Sequence, residues 1–212
     1  GHEPEGTGLL SPEVAAGEGE LLRAIDPDEP REGLRDAHVG HEAPLDLQDG
    51  EAGVGRGDPE VGAHVNIVVL VKQVPDTWAE RKLQDSDKTL DRASVDVVMN
   101  EIDEYAVEEA LQIKEAVTAG GGEGEVTIVT MGPERAVETI RKALSMGADK
   151  AVHLVDDALK GSDAVQTSYA LAKVLETLEY DLVIAGSEAT DSRMSIMTAL
   201  LSERTGQPQL SG

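Results

Sequence analysis

From residue 66 onward the chain alternates between two hydrophobic rhythms. Four short runs, "NIVVLVK" (66–72), "VTIVTM" (126–131), "KAVHLV" (150–155) and "DLVIAG" (181–186), are rich in β-branched residues and nearly continuous in apolar character. Runs of that kind are typical of strands covered on both faces. Between them the apolar positions move to helical spacing. In "EIDEYAVEEALQIKEAV" (101–117), Ile102, Ala106, Ala110, Ile113 and Val117 share one face. Asn100 stands just before this helix and Asp103 three residues on, an arrangement that predicts an N-cap at Asn100. Pro133 opens a second helix where its missing N–H costs nothing. That helix carries Val137, Ile140 and Leu144 on one stripe and stops at Gly147. A third helix is predicted over 163–178 and a fourth from about Ser195 to Thr205.

Strand and helix thus alternate four times, which predicts an α/β fold: a doubly wound parallel sheet with helices on both faces. Only 73–99 resists this description. It is too long for an ordinary strand-to-helix loop, so it is expected to be functional or to form a small hairpin around "DSDK" (85–88).

Residues 1–65 have a different composition. They hold 12 of the 22 glycines, 6 of the 9 prolines and 4 of the 5 histidines, with 16 acidic residues, 4 arginines and no lysine. Glycine or proline interrupts nearly every candidate element, and only "ELLRAI" (20–25) suits a helical turn or two. Too little apolar surface is available to offset the entropy of ordering, so 1–65 is expected to be a disordered acidic extension. The histidines His2, His38 and His41 lack the rigid shared face that metal binding needs. The absence of lysine, and a valine (Val65) just ahead of the first strand, also fit in-frame upstream translation rather than native coding sequence.

Charge narrows the partners. The chain carries 42 acidic and 18 basic residues, a formal net charge of −24. That balance argues against nucleic acid and anionic membrane surfaces, both of which would repel it. There is no cysteine, which excludes disulfides, thiol chemistry and cysteine zinc sites. Neither a membrane-spanning run nor a secretory leader is present, so a cytoplasmic protein with no membrane insertion is expected.

In an open parallel sheet, ligands sit beyond the carboxyl ends of the strands. The candidates are therefore Lys72 and Gln73, Met131 and Gly132, Val155 and Asp156, and Gly186 to Asp191. In "TMGP", Gly132 lets backbone approach a flat ring. In "AGSEATDS", Gly186 permits close approach, and Thr190, Asp191 and Ser192 bring hydroxyls and N–H groups to a helix start suited to phosphate. An ordinary turn with a glycine and an N-cap explains the same letters equally well. Hydrolytic chemistry is disfavoured, because His153 lies inside a strand. Trp78 is either a local packing anchor or a contact for a partner or ligand. Asp103, Glu104, Glu108 and Glu109 read most simply as a solvated helix face.

Taken together, "NIVVLVKQVPDTWAERKL", "NEIDEYAVEEALQIKE", "TMGPERAVETIRKALSMGADKAVHL" and "DLVIAGSEATDS" closely resemble the β subunit of electron transfer flavoprotein, of the bacterial type. The likeness runs from about Asn66 to Ser211 and leaves 1–65 outside it. It implies a Rossmann-like domain over 66–212 and a heterodimer with the electron transfer flavoprotein α subunit, which holds most of a redox-active FAD. It implies an electron carrier rather than an enzyme, taking electrons from flavoprotein dehydrogenases such as acyl-CoA dehydrogenases and passing them to electron transfer flavoprotein–quinone oxidoreductase. The β subunit of such carriers buries a structural AMP, or a second FAD in bifurcating relatives. Carried onto this chain, the resemblance places that nucleotide against Leu70, Asn100, Glu101, Ile102, Asp103 and Met131. It adds the loop Gly186, Ser187, Glu188, Ala189, Thr190, Asp191, Ser192, Arg193, Met194, Ser195, Ile196 and Met197. Family members continue beyond "PQLS" into a further strand and an arm that wraps the α subunit, so the domain is expected to be truncated at its C-terminus. A universal-stress-type nucleotide sensor is the alternative. It would want a second glycine soon after Gly186, and none comes before Gly206.

Overall fold

The β-branched run nearest the middle of the chain becomes the central strand of a parallel sheet. The computed structural model describes residues 63–211 and the backbone of Leu22–Ile25. In chain order its elements are β1 (Leu22–Ile25), β2 (His64–Leu70), β3 (Gln73–Pro75), β4 (Val97–Met99) and α1 (Glu101–Ala119). There follow β5 (Glu123–Met131), α2 (Val137–Met146), β6 (Lys150–Leu154), α3 (Ala164–Leu175), β7 (Leu182–Ala185) and α4 (Met197–Thr205). A 3-10 turn, Glu134–Ala136, leads from Pro133 into α2.

The main sheet has the order β1-β6-β5-β2-β7, and β3 pairs with β4 in a separate two-stranded ribbon. β6, β5, β2 and β7 run parallel, while β1 joins the outer edge of β6 antiparallel. Alternate residues of β2 serve opposite layers. Ile67 and Val69, with Val71 just beyond the strand, pack with Val107 and Ala110 of α1 and with Ile140 and Ala143 of α2. Val68 and Leu70 pack with Leu171, Ala172 and Leu175 of α3 and Leu201 of α4. The period of two in a strand is what lets one continuous apolar run supply both layers.

Polar side chains fix the register. Asp149, just before β6, accepts the Val126 amide at 2.8 Å, and its own amide bonds back to the Val126 carbonyl at 2.9 Å. Its other oxygen takes Lys114 Nζ of α1 at 2.5 Å. Asp181, before β7, makes the same two-way exchange with Asn66 of β2. α3 begins with Asp163 capping the Gln166 amide.

The expected α/β doubly wound sheet is therefore present, and its four predicted strands and four helices are all found. The structure differs at three places. The "ELLRAI" stretch suited a helical turn, yet the backbone of Leu22–Ile25 is a strand. The open edge of β6 offers it backbone partners that a short, isolated helix lacks. β2 also begins at His64, ahead of the expected boundary, because Ala63 already accepts the Glu123 amide. The rest of the expected disordered extension lies outside the described residues. Third, the cap expected of the Asn100 side chain is absent; its side chain is engaged elsewhere, as described below.

Residues 73–99 form the small hairpin that was one of the two expectations for them. β3 and β4 close its base, a Leu83–Leu90 bridge marks its middle, and Gln84 pairs with Thr89 around 85–88. Asp76, Asp87 and Asp91 each accept the amide two residues on, which stiffens a segment poor in apolar contacts. The side chain of Arg135, in the turn before α2, ties down the return limb by donating to the carbonyls of Arg92 (3.0 Å), Ala93 and Val95.

Ile128 of β5 is fully enclosed. Ile128→Ala removes that side chain where the two neighbouring strands leave no room to collapse, and is expected to cost about 3–4 kcal/mol. Urea unfolding followed by circular dichroism checks this; an unshifted midpoint would contradict the packing described.

Candidate functional site

The strand order reverses between β2 and β7, so a crevice opens at their carboxyl ends. Leu70 and Ala185 are paired there. The chain leaves β2 through Lys72 and leaves β7 through Gly186, and the first turn of α1 lies between the two exits.

Asn100 and Asp103, both on that turn's side of the crevice, are buried. Asn100 Nδ2 donates to the Glu188 carbonyl at 2.9 Å, and its Oδ1 accepts the Thr190 amide at 3.1 Å. This two-way grip on a loop 88–90 residues away is why Asn100 does not cap its own helix. Asp103 Oδ2 accepts the Lys72 amide at 2.8 Å. Burial raises the Asp103 carboxyl to about 6; the Asn100, Lys72 and Gly186 groups around it favour ionisation but offset only part of that. Asp103 is thus no part of a solvated face. Glu104 and Glu108 do lie on the outer surface, pairing with Lys142 and Gln112. Gly186 is required by this crowding: a Cβ there would run into Asp103 Oδ1 and come within 3.0 Å of Ile102 Cγ2.

The loop from Gly186 to α4 is built on itself. Ser192 and Arg193 amides return to the Ala189 carbonyl. Ser195 Oγ reaches Glu188 Oε2 at 3.1 Å, and Arg193 lies 3.8 Å from the same carboxylate. Arg193 and Ser195 both take left-handed backbone conformations (φ 50° and 47°). Two such non-glycine residues within three positions are uncommon and mark a constrained loop. Among the described residues the Thr190 hydroxyl is buried without a partner. No side chain caps α4, so the first N–H groups of that helix are open to an external acceptor.

Asp191 has a wholly buried side chain and two cationic partners. Lys72 Nζ is 3.0 Å from Oδ1, and the Arg92 guanidinium meets Oδ2. Burial alone would push this carboxyl up, but the charges and hydrogen bonds of Lys72 and Arg92 outweigh it and hold it below the usual range. Arg81 donates to the Thr190 carbonyl at 3.2 Å. Three cations, all supplied by residues 72–92, therefore meet two adjacent loop residues.

Most of the sequence-predicted positions gather at this crevice: Leu70, Asn100, Ile102, Asp103 and the loop from Gly186. Met131 ends the neighbouring strand β5 and is partly buried against the α3–α4 layer. Glu101, Met194 and Ile196 are exposed. Gly132 makes its close approach to Ala136 at the start of the next helix. His153 is buried within its strand. Trp78 is 96% exposed, which removes the reading of it as a packing anchor. Arg81 and Arg92 went unrecognised in the sequence. The one signal for them was that basic residues, scarce in this chain, recur in its irregular stretch. Among the described residues no acidic or histidine cluster is suited to a metal ion, and no helix is long and apolar enough to cross a membrane.

The fold is a parallel α/β domain whose switch point brings together a helix N-terminus, a buried hydroxyl and three cations. The particular family follows from sequence comparison: residues 87–212 match the family described as "Electron transfer flavoprotein domain", and the chain belongs to it. It is similar to "Electron transfer flavoprotein subunit beta" of Mycobacterium tuberculosis, with 62% identity over 146 residues, 68% of this chain and 55% of that protein. The protein of the same name from Mycobacterium leprae is 61% identical over the same shares, and that from Clostridium acetobutylicum 40% identical over 69% and 54%. The chain spans about half the length of the curated relatives it matches.

Two outcomes test the site's architecture. Gly186→Ala is expected to destabilise the fold by about 1–3 kcal/mol, since neither Asp103 nor Ile102 has room to withdraw; thermal unfolding checks it. Asp103 gives a pH signature. Its folded pKa lies above the unfolded 3.8, so ionising it costs the fold stability as pH rises from about 4 to about 6. The full cost is about 3 kcal/mol. Wild type minus Asp103→Asn should therefore shift in favour of the wild type as pH falls from 7 to 4.5; a flat difference would contradict the burial penalty.

Proposed function

We propose that this chain is the nucleotide-holding part of the β subunit of a heterodimeric electron transfer flavoprotein. It works as a cytoplasmic electron carrier with no substrate chemistry of its own. The observation that carries the reading is the switch-point crevice. An unpartnered buried Thr190 hydroxyl, an uncapped α4 N-terminus and three cations there suit the phosphate of an adenine nucleotide.

The residues present fit AMP as a structural ligand. Thr190 and the start of α4, Ser195 to Met197, would hold the phosphate. Leu70, Asn100, Glu101, Ile102, Asp103 and Met131 would form the wall beside the strand ends, and Gly186 would keep backbone close to the nucleotide. Such a ligand neutralises the crevice and stabilises the fold by binding only the folded state. Redox chemistry belongs to a FAD held mainly by an electron transfer flavoprotein α subunit. In this reading the β chain supplies surface and orientation. Electrons enter from flavoprotein dehydrogenases, such as those acting on acyl-CoA, and leave through the membrane-bound quinone oxidoreductase. The family match and the β-subunit relatives support the α–β pairing and the flavoprotein context.

Co-expression of the full chain with an electron transfer flavoprotein α subunit tests this. The expected product is a yellow complex that releases FAD and stoichiometric AMP on acid treatment. A complex that releases FAD from both sites would reassign the crevice to a second flavin. Failure of the two chains to associate would overturn the subunit assignment.

A further inference from the structure

We infer that the 72–92 excursion is an electrostatic clamp on the phosphate loop, and that Arg92 is the specificity-determining residue that sets preference for a phosphorylated nucleoside over the bare nucleoside. This deepens the reading above and rests on it. The loop after β7 contains a carboxylate, Asp191, with no exposed side-chain surface. An anion beside a phosphate site repels its ligand unless it is neutralised. Here neutralisation is more than complete. Lys72 and Arg92 both contact Asp191, and Arg81 contacts the Thr190 carbonyl one residue away. Lys72, Arg81 and Arg92 outnumber the two enclosed carboxylates nearby, Asp191 and Asp103, which leaves positive charge for the oxygens of a phosphate monoester. They stand out in a chain of formal charge −24.

The clamp is itself held. Arg135 grips the carbonyls of Arg92, Ala93 and Val95, and its own carbonyl accepts Gln73 Nε2 at 3.1 Å. Arg92 is thus fixed by backbone at one end and by Asp191 at the other. Its side chain keeps 43% of its surface in solvent, and that of Lys72 keeps 41%, so both retain donors for an incoming anion. A fixed, half-open guanidinium loses little entropy when it takes up a phosphate oxygen. The Thr190 hydroxyl, buried between the Asn100 grip and the Asp191 pairs, is the remaining donor without a partner.

The test is isothermal titration of the full chain, after nucleotide removal, with AMP and with adenosine. The wild type should bind AMP more tightly than adenosine. Arg92→Ala should weaken AMP by roughly tenfold or more, the usual scale for a lost charge-assisted hydrogen bond, and leave adenosine within about twofold. Arg92→Lys should recover much of the AMP affinity. Should Arg92→Ala not fold, Arg81→Met carries the same expectation at a smaller, several-fold size. Equal loss for both ligands, or none for either, would overturn the clamp while leaving the nucleotide site standing. A wild-type chain that binds adenosine but gains nothing from the phosphate would also overturn it. No binding of either ligand by the wild type would remove the nucleotide reading and the clamp together.

Discussion

The crevice depends on a buried polar contact at the point where the sheet changes direction. Asn100 and Asp103, one turn apart at the start of α1, reach two segments far away in sequence: the exit from β2 at Lys72 and the loop after β7. Each bond uses a backbone group that no strand partner satisfies. Burying an unpaired polar group there would cost as much as several good contacts return. The site's shape is therefore set by the accounting of backbone donors and acceptors. One consequence is that Asp103 remains a costly residue, near half-ionised at pH 6, in exchange for a single fixed arrangement of three chain segments.

Much of the fold was legible because both layers draw on one periodic pattern. The β2 run names its two neighbouring layers by alternation, and the 3.6 spacing of Ile102, Ala106 and Ala110 names the face of α1. The strand-end rule then pointed to Gly186 and the residues after it. Long-range side-chain reach was not legible. Asn100 before a helix looks the same whether it caps that helix or holds a loop ninety positions on, and only the folded chain decides. Asp103 among acidic neighbours looks solvated until the sheet closes over it. Arg81 and Arg92 sit in a segment with no period at all, so nothing in the pattern aimed them at Thr190 and Asp191. The edge pairing of Leu22–Ile25 is likewise a property of β6 more than of its own letters.

Charge is distributed as unevenly as sequence pattern. Among the described residues most carboxylates are outward, while the crevice encloses two, Asp103 and Asp191, and gathers cations around the second. The two buried aspartates respond to acid in opposite senses. Lowering pH relieves Asp103, whereas Lys72 and Arg92 hold the Asp191 carboxyl below the usual range.

The hairpin bearing that clamp also carries Trp78, the chain's single tryptophan, almost wholly in water. An indole already solvated in the native state has little further to go when the chain unravels. Its emission is thus nearly blind to collapse or loss of the core, whose enclosed side chains are aliphatic apart from His153 and small polar groups. It is well placed instead to register any surface that comes to rest against the hairpin. In optical terms the molecule carries a built-in reporter of company rather than of folding.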